Sequence, residues 1–245
     1  MSFWKSTLGG MLGFSIGGPI GAVIGAVIGS KLGSKGSTNV SSHQKQQAAF
    51  FTALFACLAK LAKADGVVSR EEVDAVDTFI KERFKFGSEQ RVFAIQVFNH
   101  AKDDSNSYTD YAQQLSALLS QDKNALMMFY ELLFELAMAD GTLHPEEERL
   151  LKDTITIFKL NSSIFDELKN RFDGNSSDAY KVLGVDPHTS FDEIKKIYLK
   201  KRREFHPDTL VSKGLPDELL EKAKERFIEI QQAFEEIEEK NKNNN

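Results

Sequence analysis

From Leu8 to Ser30 the chain runs for 23 residues without a charged side chain, and glycine stands at positions 9, 13, 17, 21, 25, 29 and 33. No other feature narrows the choice of structure so far. Glycine costs a helix in water about 1 kcal/mol relative to alanine, so a four-residue glycine rhythm suits a solvated helix poorly. In a bilayer the backbone must satisfy its own hydrogen bonds, which favours helix even in Gly-rich sequence. About 20 uncharged residues cross a hydrocarbon core of about 30 Å, and small residues four apart let a second helix approach closely. Residues 1–33 are therefore expected to form a transmembrane anchor, kinked at Pro19. Gly13, Gly17, Gly21, Gly25 and Gly29 form its self-association face, and the product is a homodimer. Lys31, Lys35 and Lys45 follow the span and only Lys5 precedes it, so the positive-inside rule puts the C-terminal part in the cytoplasm. Two other readings stay open: a cleaved signal peptide, given the small residues around 25–30, and a peripheral or soluble Gly-rich packing helix.

The remaining chain carries the charge. The 245 residues hold 31 Lys and Arg against 36 Asp and Glu, and no segment is basic enough overall to suggest nucleic acid. The single Cys57 excludes an internal disulfide and a multi-Cys zinc centre. It agrees with a reducing compartment. Residues 34–46 are Ser, Gly and polar, and read as a flexible tether.

Residues 47–172 contain a repeat. LAKADGVVSREEV (61–73) and LAMADGTLHPEEER (136–149) share ADG and EE elements at an offset of 75 residues, which predicts two related helix–turn–helix units. Around them apolar residues fall at helical spacing: Phe50, Phe51, Leu54, Phe55, Leu58 and Leu61, then Leu126, Phe129, Tyr130, Leu133 and Phe134. Strand-like alternation is absent. The acidic turns admit two readings. In one, Asp65, Glu71 and Glu72, with Asp140, Glu146 and Glu147, supply oxygen ligands to a cation. An EF-hand fails, because Leu61, Lys63, Leu136 and Met138 stand where its first acidic ligands belong. In the other, glycine ends one helix and a capping residue starts the next: Ser69 with Glu72, and His144 followed by Pro145. This region resembles the TerB-like domain of tellurite-resistance proteins.

After a linker at 173–177, residues 178–240 predict a helix ending at Gly184, a second helix capped by Ser190, and a third beginning near Pro216. Ile194, Ile197, Tyr198 and Phe205 mark the buried side of the second. Ala223, Phe227, Ile230, Phe234 and Ile237 mark that of the third. The two long helices make an antiparallel hairpin, and residues 241–245 are a tail. At the hairpin tip stands His206-Pro207-Asp208. No Ser or Cys nucleophile lies beside it in sequence. Lys195, Lys196, Lys200, Lys201, Arg202 and Arg203 crowd the helix that leads into it, while residues 217–239 carry nine acids against three bases. Such polarity fits a positive helix meeting an acidic protein surface.

YxxLGV at 180–185, HPD at 206–208 and the AF at 233–234 resemble a J-domain. HPDTLVSKGLP, followed by a long helix, resembles the DjlA-like family of membrane-anchored DnaJ-like co-chaperones, which also place a transmembrane segment and a TerB-like domain before the J-domain. The resemblance implies an all-α fold on a bacterial inner membrane, with no enzymatic activity and no cofactor. It implies a DnaK-class ATPase as partner, stimulated through His206, Pro207 and Asp208 and docked by Lys195, Lys196, Tyr198 and Lys200. The rival reading makes the TerB-like region a cation or stress sensor and the J-domain only its output. The sequence departs from the family pattern at Leu199 and Thr209, where basic residues are frequent, and at Lys201, where a core leucine is usual.

Overall fold

A computed structural model describes residues 16–29, 42–64, 66, 74, 76–78, 80, 81, 86–120, 122–138, 141–172, 179–206 and 217–243. Among them every regular element is a helix, and the chain divides into two compact units, Met1–Lys159 and Leu160–Asn245.

The first unit holds α1 (Gly18–Gly29), α2 (Ser42–Ala62), α3 (Ser88–Asp103), α4 (Tyr108–Leu118), α5 (Lys123–Ala137) and α6 (Pro145–Phe158). Helix α2 is the centre and touches each of the other five. Periodicity predicts one buried face on it, but every residue from Gln47 to Ala59 is buried. A helix surrounded by others has no solvent face to keep polar. Phe50 packs edge-on against Phe129 of α5, which meets Phe158 of α6 in the same way. The sequence repeat is visible in the backbone. Gly66 donates to the Lys63 carbonyl and Gly141 to the Met138 carbonyl, equivalent bonds 75 positions apart. Both glycines take positive φ, +140° and +87°, which explains the residue type at each turn.

One polar cluster fixes a corner of this unit. Asp104, just after α3, accepts from Lys60 Nζ at 2.8 Å, from Asn106 Nδ2 at 2.9 Å and from the Tyr111 hydroxyl. Burial opposes the Asp104 charge, but the hydrogen bonds from Lys60, Tyr111 and Asn106 outweigh it and hold the carboxyl below its ordinary range.

Of the glycine-rich segment, residues 16–29 are described. Among the described residues no helix is long and apolar enough to cross a membrane. Helix α1 has 12 residues, about 18 Å at 1.5 Å each, and apart from Ile16 and Gly17 the remainder of the 1–33 segment lies outside the described residues. Ile16, Ile20, Val23, Ile24 and Val27 are buried, and α1 packs on α2, α3 and α4. Each such side chain contributes about 1.5–3 kcal/mol when withdrawn from water. Protein, not lipid, excludes the water here.

Candidate functional site

The second unit builds its surface from α7 (Ile164–Phe172), α8 (Ala179–Leu183), α9 (Phe191–Glu204) and α10 (Asp217–Asn243). Helix α8 stops at Gly184, whose φ of +63° lets Val185 donate to the Tyr180 carbonyl and Gly184 to the Lys181 carbonyl, both at 3.0 Å. Ser190 then caps α9 through its backbone. Its hydroxyl makes no capping bond, so the capping box expected with Glu193 is not formed.

Helices α9 and α10 pack along the predicted faces. Ile194, Phe205, Ala223, Ile230, Ala233, Phe234 and Ile237 are buried, while Ile197, Tyr198 and Phe227 are half-buried. Tyr198 stacks on Phe234 at 4.0 Å with the planes 6° apart, and Phe191 lies against the same ring at 5.8 Å. Tyr198 therefore spends its ring on holding the hairpin. Arg226 of α10 is buried, donates to the Val182 carbonyl at 3.2 Å and pairs with Glu229 at 2.9 Å.

With the apolar side committed inward, the basic side of α9 faces water. Lys195, Lys196, Lys200, Arg202 and Arg203 are exposed, and none forms an ion pair among the described residues. By contrast, bases of α10 neutralise acids of their own helix, as in Lys224–Glu221, Lys240–Glu236 and Lys242–Glu238. Leu199 is 46% exposed within the basic face. At its end His206 sits half-buried with its ring edge-on to Phe227, 5.4 Å between centroids. The α10 aromatic thus fixes the imidazole against the hairpin. Pro207, Asp208 and Thr209 lie outside the described residues.

Lys201 is the basic residue that does not join this face. Its ammonium lies 3.6 Å from Glu167 of α7, and both side chains are mostly covered. Sequence reasoning missed this partner, although Ile164, Phe165 and Leu168 at helical spacing mark α7 as a helix with one face to bury. Those three are buried, and α7 packs on α8. In the structure α7 lies within the second compact unit, Leu160–Asn245.

The other candidates are more dispersed. Gly17 and Gly25 have open space where a Cβ would stand, Gly21 is buried, Gly29 ends α1, and Gly13 lies outside the described residues. Asp65, Glu71, Glu72 and Asp140 are also outside them. Glu147 accepts from the His144 backbone N–H at 2.9 Å and so caps α6, which begins with Pro145 as expected, while the His144 side chain makes no capping bond. Glu146 pairs with Arg149 at 2.9 Å. No group of three or more metal-ligating side chains occurs among the described residues. What the geometry offers is a docking face: fixed positive charge on one side of a rigid hairpin, ending in an oriented histidine.

Comparison with known proteins gives three family matches in chain order. Residues 1–36 match the family model of the co-chaperone DjlA transmembrane domain, residues 51–170 that of the tellurite resistance protein TerB, and residues 178–245 that of the DnaJ domain. The co-chaperone protein DjlA of Photobacterium profundum is 30% identical over 224 residues, covering 82% of this chain and 80% of that protein. That of Escherichia coli K12 is 28% identical over 219 residues, 80% of each chain. The Vibrio parahaemolyticus protein is 28% identical over 224 residues, 79% of this chain and 78% of its own. No solved structure matches the chain.

Proposed function

The chain belongs to the DjlA family of J-domain co-chaperones, and from that premise we propose that it binds a DnaK-class chaperone through α9 and the His206 loop and stimulates its ATP hydrolysis. The observation that carries this reading is the row of exposed bases on α9, Lys195, Lys196, Lys200, Arg202 and Arg203, which form no ion pair among the described residues and end at a histidine held by Phe227. Such a face attracts an acidic surface over a Debye length and sets its register on contact. The J-domain performs no chemistry. It favours the hydrolysis-competent conformation of its partner by binding that conformation better than the other. By its chemistry Pro207 restricts its own backbone and that of His206, and Asp208 follows it in the sequence.

The Gly-rich segment tethers this face to a membrane and pairs two copies through Gly17, Gly21 and Gly25, with the C-terminal units in the cytoplasm. Tethering raises the local concentration of J-domain for a recruited chaperone. Immobilised full-length protein is expected to retain a DnaK-class chaperone in ATP and to lose it on Asp208→Asn; equal retention by that variant contradicts the docking mode. Cross-linking in membranes checks the pairing: Gly17→Leu, Gly21→Leu and Gly25→Leu together remove the dimer, and an undiminished dimer contradicts it.

A further inference from the structure

The anchor segment has a second host. Helix α1 buries Ile16, Ile20, Val23, Ile24 and Val27 against α2, α3 and α4. Gln114 of α4 completes the docking with its side-chain amide: the Ile20 N–H donates to its Oε1 at 2.8 Å, and its Nε2 donates to the Gly17 carbonyl. The first N–H groups of a helix have no partner within it, so one amide side chain satisfies the start of α1 in both directions. Gly17 and Gly25 keep open space at their Cβ positions. The helix therefore docks by its Ile and Val stripe and leaves part of its glycine stripe unused.

These residues, 18–29, fall within the charge-free run Leu8–Ser30 that matches the DjlA transmembrane model. A segment seated among α2, α3 and α4 cannot also lie in hydrocarbon. We propose that the TerB-like unit is a receptor for the chain's own anchor: the groove formed by α2, α3 and α4 holds α1 in the lipid-free protein, and α1 leaves it on entering a bilayer. The proposal rests on the anchor reading above. Docking and insertion both withdraw the same apolar side chains from water, so neither state exposes them, and the exchange turns on the presence of lipid. Leaving the groove frees the Ile and Val stripe for lipid and opens the groove itself, so membrane attachment changes the TerB-like surface.

The test uses the full chain carrying Gly17→Cys and Ala117→Cys, an exposed position one turn along α4 from Gln114 that leaves the Gln114 bonds intact, synthesised without detergent and treated with a short bis-maleimide containing a reducible bond. Cys57 is wholly buried and stays out of the reaction. The sample is offered vesicles of phosphatidylethanolamine and phosphatidylglycerol, then floated on a density gradient before and after reduction. The expected result is efficient cross-linking without lipid, loss of flotation while the link is intact, and recovery of flotation after reduction, which also shows that the linked protein was not misfolded. Failure to cross-link without lipid overturns the docked state. Equal flotation of linked and reduced protein overturns the exchange but leaves the anchor. If reduced and unlinked protein both fail to float, the anchor reading fails and the exchange fails with it.

Discussion

Glu167 Oε2 stands 3.6 Å from Lys201 Nζ and joins α7 to the basic helix α9 through side chains that are 23% and 20% exposed. The contact sets an opposite charge beside a largely covered lysine. Glu167→Ala is expected to lower the stability of the second unit by about 1 kcal/mol, the upper range for a partly exposed pair. Lys201→Leu added to Glu167→Gln should recover that loss, because an apolar side chain needs no counter-ion there. Thermal melts of the single and double variants check it; equal stability of all three removes the role assigned to the pair.

The same contact sets where the second unit begins. A fragment starting at Leu160 retains Ile164, Phe165 and Leu168, all buried; one starting at Asp178 leaves the α8 surface beneath them in water. The longer fragment is predicted to melt several degrees higher, since about 1 kcal/mol moves the midpoint of a domain this size by about 4–8 °C. Identical melting temperatures contradict the assignment of α7 to this unit.

Much of this was legible in the sequence. The helical spacing of Ile194, Ile230, Phe234 and Ile237 read directly as burial, and the 75-residue offset of the ADG turns reappears in the Gly66 and Gly141 hydrogen bonds. These are local patterns, and local geometry fixes them. Tertiary arrangements were not legible. Nothing in the spacing of Glu131 and Glu135 says that both are buried on α5, nor that α2 is enclosed on all sides. The packing of α1 on protein was one of the readings the sequence left open, because an apolar helix has the same composition whether its stripe meets lipid or protein. Lys201 stood out in the sequence as a lysine in a core position, but the partner that the fold brings to it, Glu167, did not.

Packing and docking should separate by mutation. Phe234→Ala removes the ring that Tyr198 and Phe191 both touch and is expected to cost about 3 kcal/mol. Lys195→Glu with Lys196→Glu sits on exposed positions and should change the melting temperature little, within about 0.5 kcal/mol per site. It should slow association with the chaperone at low salt at least tenfold, an effect that fades as salt rises. A salt-independent loss of binding contradicts electrostatic docking.

Asp104 makes the first unit acid-sensitive. Its folded carboxyl is held below the ordinary 3.8 by Lys60, Tyr111 and Asn106 against the opposing effect of burial. A depressed carboxylate contributes stability that is fully present above its unfolded value and lost as pH falls through the folded one. Asp104→Asn should therefore be less stable than the parent at neutral pH, with the difference shrinking as pH falls below about 4. A gap between the two melting curves that stays constant from pH 7 to pH 3 contradicts this role.

The central claim rests on His206, fixed edge-on against Phe227 at the end of the basic helix. It is tested most directly by single-turnover ATP hydrolysis on a DnaK-class chaperone, with the full chain in lipid and with its His206→Gln variant at matched melting temperature. The account predicts acceleration by the parent and none by the variant. Equal acceleration by both, or none by either, contradicts it.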